Sequence, residues 1–68
     1  MIFITLTEEM DIADFNTTCS YIQEKIEPYK ICIFKGYYHN GIANFKITEK
    51  HRHFVEDSIL RIKYADRK

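Results

Sequence analysis

The dipeptide Asn40-Gly41 constrains this chain more than any other feature. Both central residues of a type I′ turn need positive φ, and Asn followed by Gly takes it at the lowest cost, so the pair predicts a tight β-hairpin. A two-residue loop pairs His39 with Ile42 and, further down the ladder, Phe34 with Ile47. Side chains alternate, so this register puts Cys32, Phe34, Tyr38, Ala43, Phe45 and Ile47 on one face. Ile31, Ile33, Lys35, Tyr37, His39, Ile42, Asn44 and Lys46 fall on the other. A three-residue loop would slip the pairing by one and set Ile31 and Ile33 beside Phe45 and Ile47. The turn chemistry favours the first register. Strands are expected over Tyr29–Gly36 and Ile42–Thr48.

Two helices and a further strand complete the pattern. Ile2-Phe3-Ile4-Thr5-Leu6 is β-branched and aromatic and reads as a first strand. Ile12, Phe15, Cys19, Ile22 and Ile26 recur at alternating spacings of three and four, one apolar stripe on a helix over 11–27. Asp11 suits its N-cap and Asp14 its first turn, and Pro28 stops it. Thr48 is placed to cap a last helix whose inner face is Phe54, Val55, Ser58, Ile59 and Ile62. Lys63, Arg67 and Lys68 suit that helix's C-terminal end.

The expected fold is α+β: one domain over 1–68, in the order β-α-β-β-α, with a three-stranded sheet and two helices packed on one face. A chain of 68 residues buries only about 60% of its unfolded surface, so its stability margin is thin. Helices on one face leave the other bare. That bare face would hold Ile31, Ile33, Ile42 and Tyr37, with Phe3 beside them, more apolar surface than a small monomer normally exposes. A partner is the physical consequence, and a second copy is the simplest one. Phe3, Ile31, Ile33 and Ile42 are the expected dimer interface.

Cys19 falls on the helical stripe and Cys32 in a strand, and no secretory pattern precedes them. Buried free thiols in a reducing cytoplasm follow, the host's cytoplasm if a phage encodes the chain. Apolar runs as short as Ile31–Phe34 leave no candidate for a membrane span. Eleven isoleucines and no tryptophan suit an AT-rich genome, such as a low-GC bacterium, plasmid or phage.

The neutral total charge hides two opposed halves. Residues 1–28 carry six acids against one base, and residues 29–68 carry nine bases against four acids. Such division suits a basic surface for an anionic partner, or a basic part folded onto an acidic one. Lys50-His51-Arg52-His53 opens the second helix, where cations oppose the helix dipole unless an anion binds among them. Solvated bases offset by Glu49, Glu56 and Asp57 are the simpler account.

No chemistry of catalysis or metal binding is legible. There is no nucleophile motif, phosphate loop or paired carboxylate, so an enzyme is not expected. No cofactor or metal is implied: no C-x-x-C pair exists, and His51 and His53, two apart on a helix, should point to different sides.

The function expected is therefore a small interaction module that binds a larger host or cellular protein and regulates or inhibits it, in one form a phage- or mobile-element product. Tyr37 and Tyr38 at the hairpin tip suit anchors in a partner groove, with Lys35, Lys46, His39, Arg52 and His53 meeting acidic groups. Single-stranded nucleic acid is the alternative ligand for aromatics interleaved with bases on a sheet, although no RNP-like motif is present and the net charge is zero. A small structural subunit of a larger assembly is the third reading.

Overall fold

In the computed structural model, which describes residues 1–65, Asn40 has φ 50° and Gly41 φ 82°, the positive pair a type I′ turn needs. The hairpin joins β2 (Phe34–His39) to β3 (Ile42–Ile47), with His39 opposite Ile42 and Phe34 opposite Ile47. The two-residue register therefore holds. β1 (Ile2–Thr5) pairs antiparallel with the other side of β3, Ile2 opposite Ile47 and Thr5 opposite Asn44, giving the sheet order β1-β3-β2. Beyond the strand, Leu6 N–H donates to Ala43 O (3.0 Å) and Met10 N–H to Gly41 O (2.8 Å), tying the β1–α1 connection to the hairpin end.

Helices α1 (Ile12–Ile26) and α2 (His53–Ala65) pack side by side on one face, making the α+β arrangement expected. Extents of 33 × 25 × 15 Å are those of two layers, one sheet and one tier of helices. Between the layers lie Phe15, Ile22, Ala43, Phe45, Ile47 and Val55, with Phe34 stacked on Phe45 at 6.0 Å and Phe15 on Phe45 at 5.6 Å. Gly36 marks the closest approach of α1: a Cβ there would lie 2.8 Å from Cys19 Sγ and 2.9 Å from Phe15 Cζ. Both cysteines are free and half-buried.

Four expectations need correction. β2 starts at Phe34, not Tyr29, because the chain after Pro28 turns twice: Tyr29 N–H donates to Ile26 O (2.8 Å) and Cys32 N–H to Tyr29 O (3.0 Å). Those bonds claim the groups a ladder would need. Ile12, expected on the buried stripe, is half exposed, while Thr18 is fully buried. The two stand on opposite margins of the stripe, and α1 is rolled toward Thr18, whose hydroxyl is satisfied by donating to Asp14 O (2.8 Å). Thr48 does not cap α2. Its Oγ1 accepts from Ile33 N–H (3.0 Å) and its N–H donates to Ile33 O (3.1 Å), clamping the end of the hairpin, and Glu49–His51 form a 3₁₀ turn before α2 begins. Finally, Asp11 does take the N-cap position of α1 with extended backbone, but its side chain makes no capping hydrogen bond. Of the expected basic C-terminal residues, Arg67 and Lys68 lie outside the described residues.

Candidate functional site

The side of the sheet away from the helices carries two rows of side chains across the strands. Phe3, Lys46 and Lys35 form one, since Phe3 pairs with Lys46 and Lys46 with Lys35. Thr5, Asn44 and Tyr37 form the next, and Ile42 with His39 closes the hairpin end. Ile33 extends the face beyond the ladder through its clamp to Thr48. No acidic residue stands among them.

β1 and β2 flank β3, so their backbones lie about 9–10 Å apart, yet the rings of Phe3 and Tyr37 approach to 6.5 Å, leaning together over β3. Lys46 Nζ sits 5.6 Å from the Phe3 ring centre, within cation–π range. Asn44 lies in the middle, its Oδ1 buried with no hydrogen-bond partner. Beside it Thr5, Tyr37, His39, Asn40 and Ile42 line a shallow hollow toward the hairpin tip. Phe3 is 60% exposed, Ile33 53% and Tyr37 46%. Such rings are held in place by the sheet but left open to a partner.

The expected site residues divide. Tyr37, Lys35, Lys46 and His39 share this face, together with Phe3, Ile33 and Ile42. Tyr38 does not. It points to the helical side, its ring 5.2 Å from Phe15 and its hydroxyl donating to Met10 O at 2.6 Å, so the fold itself takes it up. Ile31 lies off the ladder in the turn after Pro28. Arg52 and His53 lie at the start of α2, on the helical layer and away from the lysine row.

A second hollow sits at the end of the molecule opposite the hairpin tip, lined by Tyr29, Ile31, Lys50, His51, His53 and Phe54. His51 and His53, expected on different sides of one helix, meet there because His51 ends the 3₁₀ turn and His53 begins α2. Sequence spacing had no signal for this break. A third hollow, between the β1–α1 connection and α2, is rich in carboxylates, with Glu8 paired to Lys63 at 3.5 Å. Both partners are exposed, so the pair adds little stability. It is the ion pair found among the described residues, so the charge division between the halves is hardly consumed inside the fold. Burial pushes the Cys19 thiol above its usual range, which further disfavours its thiolate.

Fold and face together describe a small open-faced α+β sandwich. Compared with family models, curated proteins and solved structures, the chain matches none. No group of three or more metal-ligating side chains occurs among the described residues, and no described helix is long and apolar enough to cross a membrane.

Proposed function

We propose that this protein is a non-enzymatic interaction module whose uncovered sheet face holds a larger protein and thereby regulates or inhibits it. The observation that carries this reading is the composition of that face: Phe3, Ile33 and Tyr37 stand exposed beside Lys35 and Lys46, with no acid among them. The partner that fits has an apolar surface fringed by carboxylates. Phe3 and Tyr37 are its anchors, Ile33 and Ile42 widen the apolar contact, and the lysines set orientation.

Magnitudes support a surface larger than the two rings. Finishing the burial of two half-exposed aromatics removes roughly 150–250 Å² from water, worth about 4–6 kcal/mol. Association itself costs on the order of 4–15 kcal/mol. Ile33, Ile42 and the lysines must therefore contribute. A second copy is a weaker occupant, because two such faces together would confront four lysines with no acid. A reducing cytoplasm suits the free thiols.

Single-stranded nucleic acid is the second reading, favoured by two exposed rings 6.5 Å apart with a lysine against one of them. Affinity purification of the wild-type chain, of Tyr37→Ala and of the double variant Lys35→Glu/Lys46→Glu separates these occupants, with Glu24→Ala as a control on the helical side. The proposal expects a protein retained by wild type and Glu24→Ala, lost from the other two, and free of nucleic acid by absorbance ratio. Retained nucleic acid that salt strips away would reverse the order of the two readings. Light scattering tests the second copy: a dimer that Ile33→Lys dissociates would make the face a self-association surface.

A further inference from the structure

β2 is an outer strand of the sheet, and the ladder fixes which of its backbone groups are left over. Thr48 N–H donates to Ile33 O, so residues 33 and 48 form a hydrogen-bonded pair. Alternation along the antiparallel ladder then turns the backbone of Lys35, Tyr37 and His39 toward β3. The N–H and C=O groups of Phe34, Gly36 and Tyr38 are directed away from it, and no backbone partner for them occurs among the described residues. Gly36 is exposed and has no side chain, so bare backbone is what the edge shows at its middle. Such a row is a template for another strand. The outer edge of β1 is shorter, four residues against six.

Helix α1 borders the same edge. Its Phe15 stacks on Phe45 of β3, and Phe15 and Cys19 both close over Gly36 of β2. Ile12, Asn16, Cys19 and Gln23 recur at spacings of four, three and four along one flank of α1. That flank is opposite Tyr21, whose ring packs on Arg61 of α2 at 4.1 Å, so it looks outward past β2. The row carries no charge, although Asp14, Glu24 and Lys25 stand elsewhere on the helix.

We infer that β2 pairs with β2 of a second copy, antiparallel about a two-fold axis at Gly36, making one six-stranded sheet. In that register Gly36 meets Gly36, Phe34 meets the partner's Tyr38, and Lys35 meets the partner's Tyr37. The last pairing decides the occupant. A lysine blunts an edge against a strand that sets another cation across from it, but here each Lys35 lies over a ring. Phe34 and Tyr38, half-buried in the single chain, complete their burial on each other. A helix seated between β2 and β3 stands about 5 Å from the axis, so the two α1 helices lie about 10 Å apart, at packing distance. Asn16 then faces the partner's Gln23. About ten residues a side take part, against roughly 20–30 in an ordinary stable interface, so the dimer is weak and forms on the order of 10–100 µM. The pairing goes beyond the proposed function: it uses the edge, and it lays the two open faces side by side.

The test is light scattering of the intact chain from about 1 µM to about 1 mM, with amide exchange followed by NMR on either side of the midpoint. A reversible dimer should form, and exchange at Phe34, Gly36 and Tyr38 should slow with it, while Phe3 and Thr5 on the β1 edge stay unchanged. Asn16→Glu/Gln23→Glu, at exposed helix positions, should weaken the dimer about tenfold or more with an unaltered circular dichroism spectrum. Mixing that variant with Asn16→Lys/Gln23→Lys should restore association. Ile33→Lys, on the open face, should leave the dimer intact, which separates this pairing from self-association through the face. A monomer throughout, a dimer whose three edge amides exchange as fast as in the monomer, a mixture that fails to associate, or a dimer that Ile33→Lys dissociates would each overturn the assignment.

Discussion

Lys35 and Lys46 stand directly opposite each other across the β2–β3 ladder, and no carboxylate on that face separates them. Like charges in directly paired positions destabilise a sheet by a fraction of a kcal/mol to about 1 kcal/mol. A fold with so thin a margin gains nothing for itself from that pair, which is what the proposed anionic partner would offset.

Replacing one of the two should therefore separate stability from binding. Lys35→Glu turns a repulsion into a cross-strand attraction and should raise stability by about 0.5–1 kcal/mol in urea unfolding. The same variant should retain less of the partner. A variant that loses stability would mean that Lys35 makes a packing contribution outweighing its charge.

Tyr37 and Tyr38 are neighbours in sequence whose side chains lie on opposite faces of the sheet. Tyr38→Phe removes the hydroxyl bond to Met10 O but keeps the ring against Phe15. It should cost about 1 kcal/mol of stability and leave partner binding unchanged. Tyr37→Ala should do the reverse, costing about 2 kcal/mol or more of affinity with a small change in the unfolding midpoint. Equal losses of binding in both variants would place the partner on the hairpin tip rather than on the face.

Much of this architecture was legible because its signals are local. Asn40-Gly41 carries its own backbone preference, and once that turn is placed, alternation assigns Phe45 to the core and Tyr37 to the open face. Where the reading failed, a tertiary contact decided. Tyr29–Ile33 has the composition of a strand, but the chain leaving Pro28 turns to reach Phe54, which periodicity cannot show. Thr18 is polar by type and fully buried because a carbonyl one turn back accepts its hydroxyl. The meeting of His51 and His53 depends on a break between a 3₁₀ turn and a helix, invisible to a 3.6-residue repeat.

Ser58 is fully buried on α2 and its Oγ has no hydrogen-bond partner. An unsatisfied buried hydroxyl costs more than it returns, so Ser58→Ala should leave stability unchanged or raise it by about 1 kcal/mol. Thr18→Ala, which deletes a satisfied group and a methyl from the same layer, should lower it by about 1–2 kcal/mol. The two variants compared in one chemical-denaturation series check the contrast. A clear loss in Ser58→Ala would reveal a partner for its hydroxyl in solution.

The Cys19 thiol gives stability an alkaline arm. Burial raises its folded value above the 9.0 of the free group, so the unfolded chain releases its proton first. The stabilisation is complete below 9.0 and is lost as pH rises from there through the folded value. Urea unfolding of wild type and Cys19→Ala at about pH 7 and about pH 10 isolates its contribution. Wild type should lose more stability across that interval than the variant. Parallel losses would mean that the thiol ionises as freely in the fold as outside it.

Gly36 is the position where the sheet and α1 cannot be moved apart cheaply. The methyl of an alanine would lie 2.8 Å from Cys19 Sγ and 2.9 Å from Phe15 Cζ, well inside van der Waals contact. Phe15 is pinned on its other sides by Phe45 and Tyr38, so it has little room to yield. The helix must shift outward, and overpacking of this kind costs about 1–3 kcal/mol. Gly36→Ala should therefore unfold at lower urea concentration with its hairpin register intact, seen as unchanged cross-strand contacts between His39 and Ile42 by NMR. Cys19→Ala removes one of the two obstructing atoms, so the double variant Cys19→Ala/Gly36→Ala should recover part of the loss. Additive destabilisation in the double variant would place the strain on Phe15 alone.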